Sequence, residues 1–265
     1  MIQVYLGPEP HKLLLVREVE LPVLRALGRH PSAKEILGYA IVKDELWKEQ
    51  HYKCCYCEMK VTKSFNDVEH HRPKGSADRL PGSAETYGYW WVAFTWDNLL
   101  FACASCNRSG KNDLFPLEAG SVALRVGQAP PGQEKPLLIH PAKESGIRHI
   151  RFAPKTIGGE TYWVPEARND SPRGAATIRV CGLGREEYLE LYKDHVDRHV
   201  RPVAGRIRGA IERSDRQAIE AELGYASFNL LAAEQEHVGL SYDALAHLVP
   251  DVDLAPWRYA WPTMT

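Results

Sequence analysis

An α+β fold is what this sequence predicts, and three observations predict it. Apolar residues recur at three-four spacing through residues 11–51 and again from Arg173 onward, the period of amphipathic helices. Gly158-Gly159 separates two β-type runs, which is a hairpin signal. Two Cys-x-x-Cys pairs, Cys54/Cys57 and Cys103/Cys106, bracket a spacer of 45 residues. Both pairs have the spacing of zinc knuckles.

Taken in order, Ile2, Val4 and Leu6 alternate as in a short strand that Pro8 and Pro10 end. One or two helical segments follow over residues 11–30. Ser32 can cap a helix that begins near Ala33 and runs to His51, into the first cysteine pair. The spacer 58–97 reads as β-rich, with strand-like Val61, Phe65 and Val68, a loop over Gly75–Ala84 and an aromatic run from Tyr87 to Phe94. That run suits either core packing or base stacking. Residues 119–135 form a linker or long loop. Leu137–Pro141 and Ile150–Phe152 suggest short strands before the hairpin. Helices are expected over 185–200, after Pro202, and over 214–236 with a Ser214 or Asp215 cap. The tail from Pro250 has little regular pattern.

The chain has 265 residues, 44% apolar and 25% charged, enough for a hydrophobic core of its own. No apolar run approaches the ~20 residues that span a bilayer, so no membrane role is expected. The first thirty residues carry no signal-peptide pattern, which predicts a cytoplasmic protein with reduced thiols. Formal net charge is −1, unlike a free-standing nucleic-acid binder, whose affinity comes largely from phosphate neutralisation. Either cations are gathered locally or a partner supplies much of the grip.

Reduced cysteines in paired knuckles point to metal. Cys54, Cys57, Cys103 and Cys106 complete a closed tetrahedral site, the structural kind of zinc (Zn²⁺) centre. Cys55 and Cys181 read as packing residues. Glu69 and His70 follow the apolar Val68, and Asn107 opens a helix at the second knuckle. Glu69 and Asn107 both offer oxygen, the donor type of Mg²⁺ or Mn²⁺. His70 can take a proton from water near neutral pH. Asn98, next to Asp97, can fix a loop by hydrogen bonds to the backbone.

This order of motifs resembles the HNH endonuclease superfamily, the ββα-metal nucleases with a four-cysteine zinc site. Cys54-x-x-Cys57, Glu69-His70-x-x-Pro73, Trp96-x-Asn98-Leu99, Cys103-x-x-Cys106-Asn107 and Lys111 carry the resemblance. It implies that Glu69 and Asn107 bind the catalytic metal, that His70 is the general base, and that Asn98 orients the loop. Two positions depart from the usual pattern: Glu69 stands for Asp, and Asn107 for His. A narrower likeness, through the Lys-Cys-Cys-Tyr-Cys-Glu, Val-Glu-His-His-Arg-Pro-Lys and Pro-Leu-Leu-Ile-His-Pro stretches, is to PtuB-type HNH proteins of Septu and retron-linked anti-phage systems. Those act with an ABC-type ATPase partner of the PtuA type, which implies such a partner here.

The implied organisation is an N-terminal segment 1–50 packing on a nuclease core 51–117, then an accessory region 118–265 of hairpin and helices. The implied function is metal-dependent hydrolysis of DNA or RNA. The alternative is a zinc-stabilised nucleic-acid or protein-binding module with a silent site. Arg72, Lys74, Arg108 and Lys111 are the candidates for phosphate contact. A second basic run, Arg198 to Arg213, suits phosphate, the implied ATPase partner or a merely solvated helix face.

Overall fold

The computed structural model describes residues 1–79 and 86–257. Part of the Gly75–Ala84 loop and the end of the tail therefore lie outside the described residues. The fold is mixed α+β. Helix α1 spans His11–Ala26 and α2 spans Lys43–Glu49, with a 3-10 turn Tyr39–Val42 before it. Strand β1 (Asp67–His70) pairs antiparallel with β2 (Leu99–Ala102), so that Glu69 lies opposite Leu100 and His70 opposite Leu99. Helix α3 (Ala104–Cys106) follows β2 and runs directly into a π turn, Asn107–Lys111. The hairpin β3 (Ile150–Ile157) and β4 (Glu160–Ala167) leads to α4 (Pro172–Cys181), α5 (Glu186–His195), α6 (Arg201–Glu212), α7 (Arg216–Asn229) and α8 (Val238–Leu248). Among the described residues, no helix is long and apolar enough to cross a membrane.

Local sequence explains the elements that form. Gly158 and Gly159 both have positive φ, the geometry of a two-residue hairpin turn matched to strand twist. Ser171 caps α4 by accepting from the Gly174 amide, with Pro172 in the first turn. Asp215 caps α7 through the Ala218 amide.

Several expectations are corrected. Residues 2–6 form no strand; Val4 makes one backbone bond, to the Pro141 carbonyl. The helix expected over 33–51 is broken by Gly38 in the left-handed region, and Ser32 closes a turn with Glu35 instead. The spacer is not β-rich. Its one strand among the described residues is β1, and the aromatic run packs into the core as a 3-10 turn at Trp90–Val92. Burial of large rings overrides their strand propensity here. No strand forms at Leu137–Pro141, where Pro136 and Pro141 interrupt the ladder. Helix α8 adds to the expected helices.

Two hydrophobic clusters meet at the β1–β2 hairpin. Leu100 and Ala102 join the cysteines to residues of α4–α8, whereas Leu99 and Phe101 join α1, α2 and the aromatic run. The hairpin carrying Glu69 and His70 is therefore wedged between both halves of the core.

Candidate metal centre and catalytic cleft

Cys54 and Cys57 lie in a knuckle just after α2, and Cys103 and Cys106 flank the start of α3. All four thiols are buried and lie within 4.8 Å of one another. Cys57 Sγ and Cys103 Sγ are 3.8 Å apart. A tetrahedron with metal–sulfur bonds of ~2.3 Å has an edge of about 3.8 Å. The spacing and donor set fit structural zinc, closed to substrate. Tyr188 of α5 places its hydroxyl 3.3 Å from Cys106 Sγ and 3.6 Å from Cys103 Sγ, tying the C-terminal helices to this centre. Cys55 and Cys181 are buried outside the cluster.

The two knuckles hold α3 against β1, and a cleft of about 360 Å³ opens on that side. Asp67, Glu69, His70, Lys74, Asn107 and Arg108 line it. The predicted Glu69, His70 and Asn107 are thus brought to one cleft. Asp67 joins them; it lies two residues before Glu69 on the strand and so shares its face, a period-two signal that could have found it. Tyr39 also lines the cleft and sets its ring against that of His70, centroids 4.4 Å apart. Nothing in the local sequence marks Tyr39.

His70 is buried, and its Nε2 is 3.0 Å from the Ala93 carbonyl. A carbonyl only accepts, so Nε2 carries the proton and Nδ1 keeps the lone pair. Burial, with Lys74 adding to it, holds its pKa down at about 3, so the ring is neutral through the physiological range.

Glu69 is equally buried. Lys111 Nζ lies 2.7 Å from its Oε1 and donates to the His70 carbonyl at 2.9 Å. The Tyr56 hydroxyl adds a weaker bond at 3.3 Å. Burial pushes the Glu69 pKa up against the pull of Lys111. Asn107 donates to Asp67 at 3.2 Å, and Arg108 grips both oxygens of Asp67 at 2.8 and 2.7 Å.

Asn98 lies behind the cleft. Its Oδ1 accepts from the Arg72 amide at 2.8 Å, and its Nδ2 donates to the carbonyls of Arg72 and Val92 at 3.1 and 3.2 Å. It staples the chain just after β1 to the segment that carries Ala93, the partner of His70.

The four candidate phosphate contacts divide. Lys74 lines the cleft, and its Nζ bonds the Ala33 carbonyl. Arg108 is exposed but committed to Asp67. Lys111 and Arg72 are placed differently from the expectation: both are buried, Lys111 on Glu69 and Arg72 on Glu134 at 2.9 Å. The π turn explains Lys111. Its wider winding, closed by the Asn112 amide on the Asn107 carbonyl at 2.7 Å, turns the side chain inward under β1. In the second basic run, Arg198, Arg201 and Arg206 pair with Asp194, Asp197 and Glu222, a solvated helix face.

His71 is the first residue beyond β1 and does not line the His70 cleft. It faces a separate cavity of about 600 Å³ with His140 and Arg173, its ring 4.0 Å from that of His140.

No family model and no solved structure matches the chain. It is 27% identical to Septu protein PtuA of Bacillus mycoides (strain KBAB4) over 140 residues, 52% of this chain and 18% of that protein. It is 36% identical to Septu protein PtuB of the same strain over 152 residues, 56% of this chain and 48% of that protein. The chain thus spans about half the length of PtuB and under a fifth of PtuA. Over the stretch that aligns, it is a homologue of Septu protein PtuB.

Proposed function

We propose that this chain is a metal-dependent nuclease of the HNH type, hydrolysing phosphodiester bonds in DNA or RNA as the effector of a Septu-like anti-phage complex with an ABC-type ATPase. The observation that carries the reading is the neutral His70 ring, fixed by the Ala93 carbonyl, in one cleft with Glu69, Asp67 and Asn107. Similarity to PtuB supports the system, and the near-neutral charge suits an effector that shares its grip with a partner.

The donor chemistry of the cleft fits a hard cation, because carboxylate and amide oxygens gather there. Glu69 and Asn107 would hold it, with Asp67 as a further carboxylate. Such a cation supplies charge stabilisation for the leaving oxygen of a phosphodiester. His70 receives the proton of the attacking water at Nδ1. Asn98 keeps Ala93 and Arg72 in register so that the imidazole does not turn. Lys74 at the rim attracts the phosphate backbone.

One observation favours the second reading, a zinc-stabilised binding module with a silent site: Lys111 already neutralises Glu69. Cleavage of plasmid DNA and of RNA with added Mg²⁺ or Mn²⁺, alone and with the co-purifying partner, separates the two. On the nuclease reading, His70→Ala lowers cleavage by about 10²–10⁴-fold. Equal cleavage by wild type and variant would end it, as would no cleavage under any of these conditions.

A further inference from the structure

Phe65 is 85% exposed, the most exposed large hydrophobic side chain among the described residues. Its backbone has φ +67°, a left-handed conformation that suits glycine or asparagine and is an outlier for a bulky residue. An aromatic ring is thus held in water on a strained backbone, and such strain persists only where the surroundings fix it.

The surroundings do fix it. Thr62 Oγ1 donates to the Ser64 carbonyl at 3.2 Å, and Asn66 Nδ2 donates to the Thr62 and Ser64 carbonyls at 2.6 and 3.3 Å. Asn66 Oδ1 accepts from the Ala104 amide at 3.0 Å, at the start of the helix that leads to Asn107. Arg108 Nη2 donates to the Phe65 carbonyl at 3.4 Å while gripping Asp67. Through the Ala104 amide and Arg108 the turn is tied to the start of α3 and to a residue that lines the cleft.

We propose that Phe65 is a stacking platform for an unpaired base of the nucleic acid being cut, close to the scissile phosphate. This rests on the nuclease reading and adds a preference for single-stranded or locally opened substrate. The setting favours nucleic acid as the occupant. Lys43 and Lys74 line the neighbouring cleft; Lys74 Nζ bonds the Ala33 carbonyl and lies 5.1 Å from the centroid of the Tyr39 ring. One aromatic face beside such cations is the composition of a single-strand platform. A phenyl ring has no hydrogen-bonding group, so the contact tolerates any base.

Two measurements test this on the chain purified with its partner. In cleavage of a single-stranded oligonucleotide, Phe65→Ala and Phe65→Leu should raise KM about ten- to a hundredfold with kcat largely kept, and Phe65→Trp should restore it. Leu keeps the apolarity and loses the ring, so it separates stacking from greasy contact. In a binding assay with an oligonucleotide carrying 2-aminopurine, the non-cleaving His70→Ala protein should quench the probe, and the further Phe65→Leu change should remove the quenching. Cleavage and quenching that do not respond to Phe65→Leu overturn the proposal. Loss of the co-purifying partner in Phe65→Ala with unchanged KM overturns it in favour of a protein contact. If wild type cleaves nothing, the nuclease reading fails, and stacking is then upheld or refuted by the quenching alone.

Discussion

Lys111 Nζ sits 2.7 Å from Glu69 Oε1, and the lysine side chain is 0% exposed. A buried pair of this kind stabilises little by itself, but breaking it leaves an uncompensated charge in the core. Lys111→Met should therefore destabilise the protein by about 3–5 kcal/mol, read as a lower midpoint in urea unfolding. Adding Glu69→Gln should recover part of the loss, because the orphaned carboxylate is gone. An unaltered midpoint in Lys111→Met would contradict the buried pair.

Asn98 predicts a second outcome. Asn98→Ala removes partners from the Arg72 amide and from the carbonyls of Arg72 and Val92. A buried backbone group left without a partner costs about 1–3 kcal/mol. The variant should be less stable by at least that, and its cleavage should fall although Asn98 donates to no ring. Stability and cleavage both equal to wild type would remove Asn98 from the support of the cleft.

The thiol cluster predicts one zinc per chain by elemental analysis. Cys57→Ser should lose the metal and unfold the hairpin with α3, because binding free energy at a structural site is folding free energy. Cys181→Ser, outside the cluster, should keep a full zinc complement. A folded, zinc-free Cys57→Ser protein would rule out the clamp.

Acid should unfold the protein early. Burial depresses the pKa of His70 and His195 to about 3 and that of His140 to about 4. An unfolded imidazole titrates near ~6.5. Below that pH the unfolded chain takes up protons that the folded chain refuses, so stability falls with acidification. The loss runs from about pH 6.5 down to about 4 for His140 and about 3 for the other two; above about pH 6.5 this contribution is flat. Urea midpoints measured from about pH 7.5 to about pH 4.5 should decline steadily below ~6.5. A constant midpoint over that range would show that these rings titrate normally.

The four-cysteine cluster is legible in the sequence because paired thiols at fixed spacing leave few other uses. The β3–β4 hairpin is legible because Gly158-Gly159 is local turn chemistry. Lys111 is not: whether a lysine after Asn107 meets solvent or Glu69 depends on a single extra residue in one helical turn. Tyr39 lies thirty-one residues from His70, so only tertiary packing brings it to the cleft. The run Tyr87–Phe94 has the composition of a strand and the fate of a core, because what decides it is the space beneath β2 and not its own preference.

His70 and His71 stand back to back on one backbone, each serving a different chamber. A segment built this way tolerates changes of side chain far better than changes of length. One residue inserted at Val68 would carry His70 out of its cleft and turn Glu69 off Lys111. Natural variation in this stretch should consequently consist of substitutions, with gains and losses of residues confined to the connections on either side.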